Sequence, residues 1–361
     1  MVEIELEFHH KMIKEIREEP RAIEKLLSEG SEQIQEAAGM IRSGQYEMVY
    51  IIGSGTSYHA GVAAQYAFST LTKLITSLVP ASEFPSWLPT NSSRKSLLIA
   101  VSQSGEGSDV LSAAKAALNR DMTVLAITNT PNSTLMKISH CTVLTRAGKE
   151  HAVTATKSYI AQLTALFLLS LDLATAQATK ETNSQGLRRK LFMAPKMIAE
   201  TIDRTDGLMQ RLAHKYRNQN FSFLLGSGPN YATALEGALK LKEACNIFAE
   251  GFALREFLHG PMQLVDMKTT IFFILTEDQL NGAISEINTM RSFGAPVLTI
   301  SEKMDERLTD ASTGLVCVPQ GFPKVFSPMI YIVPLQLFSY YSSVARGLNP
   351  DRPKKLTKVV K

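Results

Sequence analysis

A chain of 361 residues, 45% hydrophobic and 20% charged, has ample core for a globular protein and is long enough for two domains. Its formal net charge of +4 is mild and gathers between Arg352 and Lys361, which offers no broad basic face to nucleic acid. No apolar run is long enough to cross a bilayer, and the charged N-terminus lacks a signal core. Cys141, Cys245 and Cys317 stand far apart in apolar settings, so neither a disulfide framework nor a metal set is expected. The expected setting is cytoplasmic, with no metal, no cofactor, no nucleic acid and no membrane partner.

Residues 1–45 are charged and helix-prone, with Pro20 near the start of a helical turn. Met48-Val49-Tyr50-Ile51-Ile52 then reads as a buried strand that breaks at Gly53-Ser54-Gly55-Thr56-Ser57 and leads into a small-residue helix. Leu97–Val101 and Val124–Ile127 are further apolar strands, each separated from the next by helical spacing. Such alternation, with continuous apolar strands, predicts a parallel sheet covered on both faces. The pattern repeats: Phe223-Leu224-Leu225-Gly226-Ser227-Gly228 echoes Ile51-Ile52-Gly53-Ser54-Gly55, and Tyr231 follows Gly228 as Tyr58 follows Gly55. Thr270–Leu275 and Pro296–Ile300 supply later strands of this second unit, and a longer helix around Ile330–Ala345 precedes the basic tail. The expected organisation is an N-terminal helical segment (1–45), a first α/β unit (46–180), a linking helical stretch (181–215), a second unit (216–345) and a tail (346–361).

Two loops stand where strands of the first unit open into helices, a place where backbone amides are unpaired and the helix dipole favours negative charge. Ser57, Ser102, Gln103 and Ser104 add side-chain donors there, and the glycines allow close backbone approach. The plain structural account of either loop is helix capping by serine; both together favour a phosphate. No Gly-Lys-Ser/Thr follows, which excludes a nucleotide P-loop, and the third glycine of a dinucleotide fingerprint is missing.

In Leu235-Glu236-Gly237-Ala238-Leu239-Lys240-Leu241-Lys242-Glu243, helical spacing puts Glu236, Lys240 and Glu243 on one stripe. The plain account is a solvated, salt-bridged face, with Lys242 directed toward the apolar side. Gly260-Pro261 after His259 holds that imidazole at the edge of a turn. Lys149-Glu150-His151 and Thr154–Lys157 form a further polar loop before an apolar helix, with capping as its plain account.

Gly55-Thr56-Ser57-Tyr58, Ser102-Gln103-Ser104-Gly105-Glu106, Ala238-Leu239-Lys240-Leu241-Lys242-Glu243, Leu258-His259-Gly260-Pro261 and Pro353-Lys354-Lys355-Leu356-Thr357-Lys358 together resemble the sugar isomerase (SIS) family, within it the isomerase half of the glucosamine-6-phosphate synthases. The likeness runs from His10 to Lys358. It implies two tandem SIS domains, each a three-layer αβα sandwich around a parallel, flavodoxin-like sheet. It implies that Ser57, Ser102, Gln103 and Ser104 hold a sugar phosphate, with Thr56, Val153 and Glu236 at the pocket. Glu243 would move a proton between C1 and C2, with Lys240 beside the C2 substituent. Lys358 would form or assist an imine, and His259 would open the sugar ring from a neighbouring subunit of a homodimer.

The chemistry suits these residue types. One carboxylate can serve as base and then acid on one face, a cation one turn away can stabilise enediol charge, and an imine-forming lysine needs desolvation or a second cation. Three positions depart from the family: Gly107 replaces the usual threonine, which loses or shifts one donor, Lys354 replaces an arginine, and Leu258 replaces a lysine. With no cysteine before Cys141, the glutaminase domain of the synthases is expected to be absent. The activity then implied is deaminating isomerisation of glucosamine 6-phosphate, by a glucosamine-6-phosphate deaminase of the isomerase-related type, to fructose 6-phosphate and ammonia. Rivals are a fructosamine-6-phosphate deglycase, a stand-alone isomerase aminating with free ammonia or a partner glutaminase, and a non-enzymatic sugar-phosphate sensor. A sensor needs the serine loops but has no use for Glu243, His259 and Lys358.

Overall fold

The structure, a computed structural model, describes residues 10–72, 74–90, 95–175 and 184–360. Residues 1–9 of the helical N-terminal segment, residues 176–183 at the junction of the first unit and the linking stretch, and Lys361 of the tail lie outside the described residues. Among the described residues, ten strands form two five-stranded sheets. The first contains β1 (Met48–Gly53), β2 (Thr76–Pro80), β3 (Ser96–Ser102), β4 (Thr123–Thr128) and β5 (Cys141–Leu144) in the order β2-β1-β3-β4-β5. The second contains β6 (Phe221–Gly226), β7 (Phe248–Ala253), β8 (Thr269–Leu275), β9 (Val297–Ser301) and β10 (Gly314–Cys317) in the order β10-β9-β8-β6-β7. Every pairing is parallel, and numbered from its own first strand each sheet has the flavodoxin order 2-1-3-4-5.

The interior strands are those that the apolar runs predict, and β3 and β8 are buried at every position. β2, β5, β7 and β10 lack continuous burial, and each is an edge strand. An edge has one open side and needs less apolar surface, so its sequence shows a weaker pattern.

The helix Thr56–Leu71 lays a face of small residues, Ala60, Gly61, Ala63, Ala64 and Ala67, on the first sheet. The N-terminal helices Lys11–Arg17, Glu19–Glu29 and Ser31–Gly44 bury Met12, Ile13, Ile16, Ile23, Leu26 and Ile34. They pack against Lys157–Thr175, Ala194–Lys215 and Pro328–Ala345. The two units meet where Asn230–Cys245, the helix after β6, packs on Thr56–Leu71, the helix after β1. Equivalent helices of the repeat therefore face each other across the interface.

Gly61 sets how closely one of these helices approaches its sheet, since a Cβ there would stand 2.6 Å from Leu78 Cδ1 and 3.1 Å from Ile51 Cγ2. Gly61→Val is expected to lower stability in urea denaturation by about 1–3 kcal/mol, the usual cost of overpacking.

Candidate active site

In the order 2-1-3-4-5 the chain leaves β1 and β3 in opposite directions, which opens a crevice at their carboxyl ends. Gly53–Ser57 and Ser102–Ser108 form its walls, so the two hydroxyl-rich loops meet at the topological switch point. A cavity of about 280 Å³ lies there, lined by Thr56, Ser57, Ser102, Gln103, Ser104 and Val153 of the first unit. Glu243 of the second unit and Lys358 of the tail complete the wall. Its size is at the small end of ligand pockets.

The loop serines do not cap helices. Gly55 and Gly107 occupy the N-cap positions of Thr56–Leu71 and Ser108–Leu118, and neither helix has a side-chain cap. Instead, each hydroxyl oxygen accepts a hydrogen bond: Ser102 Oγ from the Gly105 amide at 3.1 Å, Ser104 Oγ from the Glu106 amide at 3.2 Å, and Ser57 Oγ from Gln162 Nε2 at 3.0 Å. Accepting on the oxygen leaves each O–H as a donor for a ligand. The loop is anchored from behind by Glu106, whose carboxylate takes the amide and hydroxyl of Thr134 at 2.8 Å each. Gly105 has φ +64°, and a Cβ there would meet Ser133 Oγ at 2.3 Å, so this bend admits only glycine. Gly107 differs: its φ of −64° suits any residue, and a Cβ would meet nothing within 4 Å. The family's threonine would fit, and its donor is missing here through residue choice alone.

Behind the cavity lies a closed hydrogen-bond network (Fully buried Lys240 donates to Glu243 Oε2 at 2.8 Å and Thr56 Oγ1 at 3.2 Å, and pairs with Glu236 Oε1 at 3.1 Å). Thr56 Oγ1 donates to Glu236 Oε1 at 2.9 Å, and Glu236 Oε2 lies 2.7 Å from His59 Nδ1. Burial alone would push the Glu236 carboxyl up, but the Lys240 ammonium, His59 and Thr56 hold it below its ordinary value. Burial would likewise lower Lys240, and the two carboxylates outweigh it and raise it. The solvated-stripe account is thus reversed: Glu236 and Lys240 are buried, and Lys242 is exposed. The helix is covered on the charged side by the other unit, where each charge has its partner.

Two expected placements change with this. Glu236 is not on the cavity wall; it sits one layer behind, turned toward Lys240 and His59. Lys240 also stands behind the wall, and touches the pocket only through Glu243 and Thr56. His259 is exposed, between the short turns Glu256–Leu258 and Pro261–Leu264, and does not line the cavity within one chain.

The tail folds back over the first unit. Lys358 Nζ donates to Glu150 Oε2 and to the Ala152 carbonyl, both at 2.6 Å, and the Ser108 amide donates to the Val360 carbonyl at 3.2 Å. Glu150 also takes the Thr156 and Ser158 amides at 3.0 and 3.1 Å, so it caps the helix Lys157–Thr175. Burial would raise its carboxyl, yet Lys358 and these donors hold it below the ordinary 4.5. The partner of Lys358 is therefore a carboxylate, where imine formation calls for desolvation or a second cation. Glu150, Gln162 and His59 escape sequence reasoning as site residues. Glu150 and Gln162 carry no spacing signal, and His59 lies one turn into an otherwise small-residue helix.

The sequence model of the SIS domain matches residues 45–171 and 215–346, one stretch for each sheet. The chain belongs to the SIS domain family. Over 98% of its length it is 36% identical to a glutamine–fructose-6-phosphate aminotransferase [isomerizing] of Thermococcus kodakarensis, and it spans 58% of that relative's length. The C-terminal domain of glucosamine-fructose-6-phosphate aminotransferase from Francisella tularensis superposes with a TM-score of 0.85 at 26% identity, over 96% of this chain and 99% of that one. Glucosamine-6-phosphate deaminase from Thermotoga maritima shares the fold, with a TM-score of 0.78 at 23% identity over 97% and 99% of the two chains.

The two SIS domains differ in equipment. The loop after β8, equivalent to the serine loop after β3, contains Thr276-Glu277-Asp278-Gln279, and Asp278 pairs with Lys324 at 2.5 Å. The hydroxyl-rich loops that line the cavity therefore belong to the first SIS domain, and the carboxylate Glu243 to the second.

Because the folded Glu150 carboxyl is lowered, the tail clamp contributes stability in full above pH 4.5, lost as pH falls through the lower folded value. Hydrogen exchange across residues 352–360, corrected for intrinsic rates, is expected to rise as pH falls below 4.5. Glu150→Gln should show the faster exchange already at neutral pH.

Proposed function

We propose that this SIS protein is a phosphosugar aldose–ketose isomerase acting on an amino-hexose 6-phosphate, and that it converts glucosamine 6-phosphate and water to fructose 6-phosphate and ammonia. The observation that carries this reading is the single cavity in which three serine hydroxyls face a carboxylate from the other SIS domain. The hydroxyls and the adjacent helix N-termini suit the phosphate, and the anchored phosphate would hold the far end of the sugar against Glu243.

In the open-chain sugar, Glu243 removes the proton from C2 while the C1 oxygen takes a proton to form the enol. The same carboxyl then returns its proton to C1 as the C2 amine gives one up, so that the proton gained by O1 is balanced by the one lost from nitrogen. The product is a C2 imine bearing a C1 hydroxymethyl group. Water adds to the imine carbon and ammonia leaves, giving the ketose. Lys240, fixed behind Glu243, supports negative charge in the enol-like transition state. His259, exposed and away from the cavity of its own chain, suits ring opening in the pocket of a second subunit, and so a homodimer. Lys358 bridges the tail to the loop carrying Val153 and would hold the tail against the bound sugar. A cytoplasmic setting fits this substrate class, and no helix among the described residues is long and apolar enough to cross a membrane.

The aminating direction is the second reading, favoured by the likeness to the isomerizing aminotransferases; the same proton transfer serves both directions. Incubation with glucosamine 6-phosphate, with ammonia and fructose 6-phosphate assayed together, tests the first reading. Amine release from a fructosamine 6-phosphate adduct alone would replace it with the deglycase, and glucosamine 6-phosphate formed only from ketose and ammonia would replace it with the second reading.

Glu243→Gln is expected to lower turnover about 10²–10⁴-fold with sugar-phosphate affinity kept, since it removes the acid–base group and little volume. Equal turnover would remove Glu243 from this role. Ser102→Ala or Ser104→Ala should weaken binding of the phosphorylated sugar about 10–100-fold, the loss of one hydrogen bond to a charged group. Calorimetry with fructose 6-phosphate against fructose checks this.

A further inference from the structure

We infer that His59 is a positioning residue for proton transfer, acting on Glu243 through Glu236 and Lys240. The inference rests on the isomerase reading above and adds a residue that touches no substrate. Glu236 has a side chain 1% exposed, and a carboxylate so buried needs donors on both oxygens. Oε1 is served by Thr56 Oγ1 at 2.9 Å and Lys240 Nζ at 3.1 Å; Oε2 has His59 Nδ1 at 2.7 Å. A carboxylate only accepts, so Nδ1 carries the proton in this pair.

An ammonium has three N–H donors, and Lys240 has three partners: Glu236, Glu243 and Thr56. All its protons are committed, so its position is fixed by Glu236 as much as by Glu243. Glu236 shares the lysine's charge and keeps Lys240 from neutralising the base outright. Thr56 and Glu243, the two members of this network on the cavity wall, are thereby held together. Without the imidazole, Oε2 turns to water or to Lys240, the lysine leaves its shared position, and Glu243 loses its alignment on the reacting carbons. Small misplacements of this kind cost rate more than affinity.

The test is steady-state turnover of glucosamine 6-phosphate and calorimetric affinity for fructose 6-phosphate in His59→Ala, His59→Asn and His59→Gln. An Asn amide nitrogen takes the place of Nδ1, whereas that of Gln lies one bond farther out. His59→Ala and His59→Gln are expected to lose about tenfold or more in kcat with KM and sugar-phosphate affinity within about twofold, and His59→Asn to recover most of kcat. Wild-type kcat in His59→Ala, or equal loss in His59→Asn and His59→Gln, overturns the positioning role while the isomerase reading stands. Should His59→Ala fail to fold, His59→Asn against His59→Gln decides alone. No ketose phosphate from the wild type overturns the isomerase reading and this one with it.

Discussion

A lysine ammonium sealed from water between two carboxylates is the constraint on which the site depends. Removing Lys240, Glu236 and part of Glu243 from water costs several kcal/mol per ion, and only mutual pairing with complete hydrogen bonding offsets it. The offset is available in one arrangement of the two SIS domains, because Thr56 and His59 come from the first domain and the charged triplet from the second. Sliding one domain on the other would strand a buried charge. Stability and registration of the Glu243 carboxylate at the cavity are therefore one requirement, and this explains why so polar a cluster persists where apolar packing would be simpler.

The hydroxyl-lined end is built on a different principle. No cation stands among the loop residues that line it; its polar groups are hydroxyls and backbone amides at two helix N-termini, set by glycines and by groups behind the loops. Gln162 holds the Ser57 oxygen, and the amides of Gly105 and Glu106 hold those of Ser102 and Ser104, which leaves each hydroxyl hydrogen free to be donated. Fixed dipoles of this kind need no reorganisation on binding. They stand across the cavity from Glu243 and its buried Lys240 partner, which come from the other SIS domain.

Much of this was legible in the sequence, and the remainder was hidden for identifiable reasons. Apolar runs revealed the interior strands, and the Gly53–Gly55 and Gly226–Gly228 echoes revealed the repeat. The edge strands were not visible, since Thr76–Pro80 or Phe248–Ala253 lack the continuous burial that marks an inner strand. For the helix Asn230–Cys245 periodicity alone puts the wrong face in water, because it assumes that charge is solvated, whereas the resemblance brings Glu236, Lys240 and Glu243 together. Here the charge faces another helix that supplies Thr56 and His59, and Lys242, beside the buried lysine in sequence, is the one in solvent. Partners 177 or 180 residues away leave no local trace.

The tail shows how a residue so near the end of the described chain can be held in place. Asp351 accepts the Lys11 and Met12 amides at 2.8 Å each, capping the helix Lys11–Arg17, while its carbonyl takes the Val153 amide at 3.0 Å. One turn along that helix, buried Glu15 takes the His151 amide at 2.5 Å and the Ala152 amide at 3.2 Å. Burial, with Glu150 nearby, pushes the Glu15 carboxyl up to about 7 despite those amides. The loop 150–153 is thus gripped from one side by the N-terminal helix and from the other by the tail. Lys358 lines the cavity with its ammonium on this loop, and the first helix of the described residues braces the same loop without contributing a residue to the cavity wall.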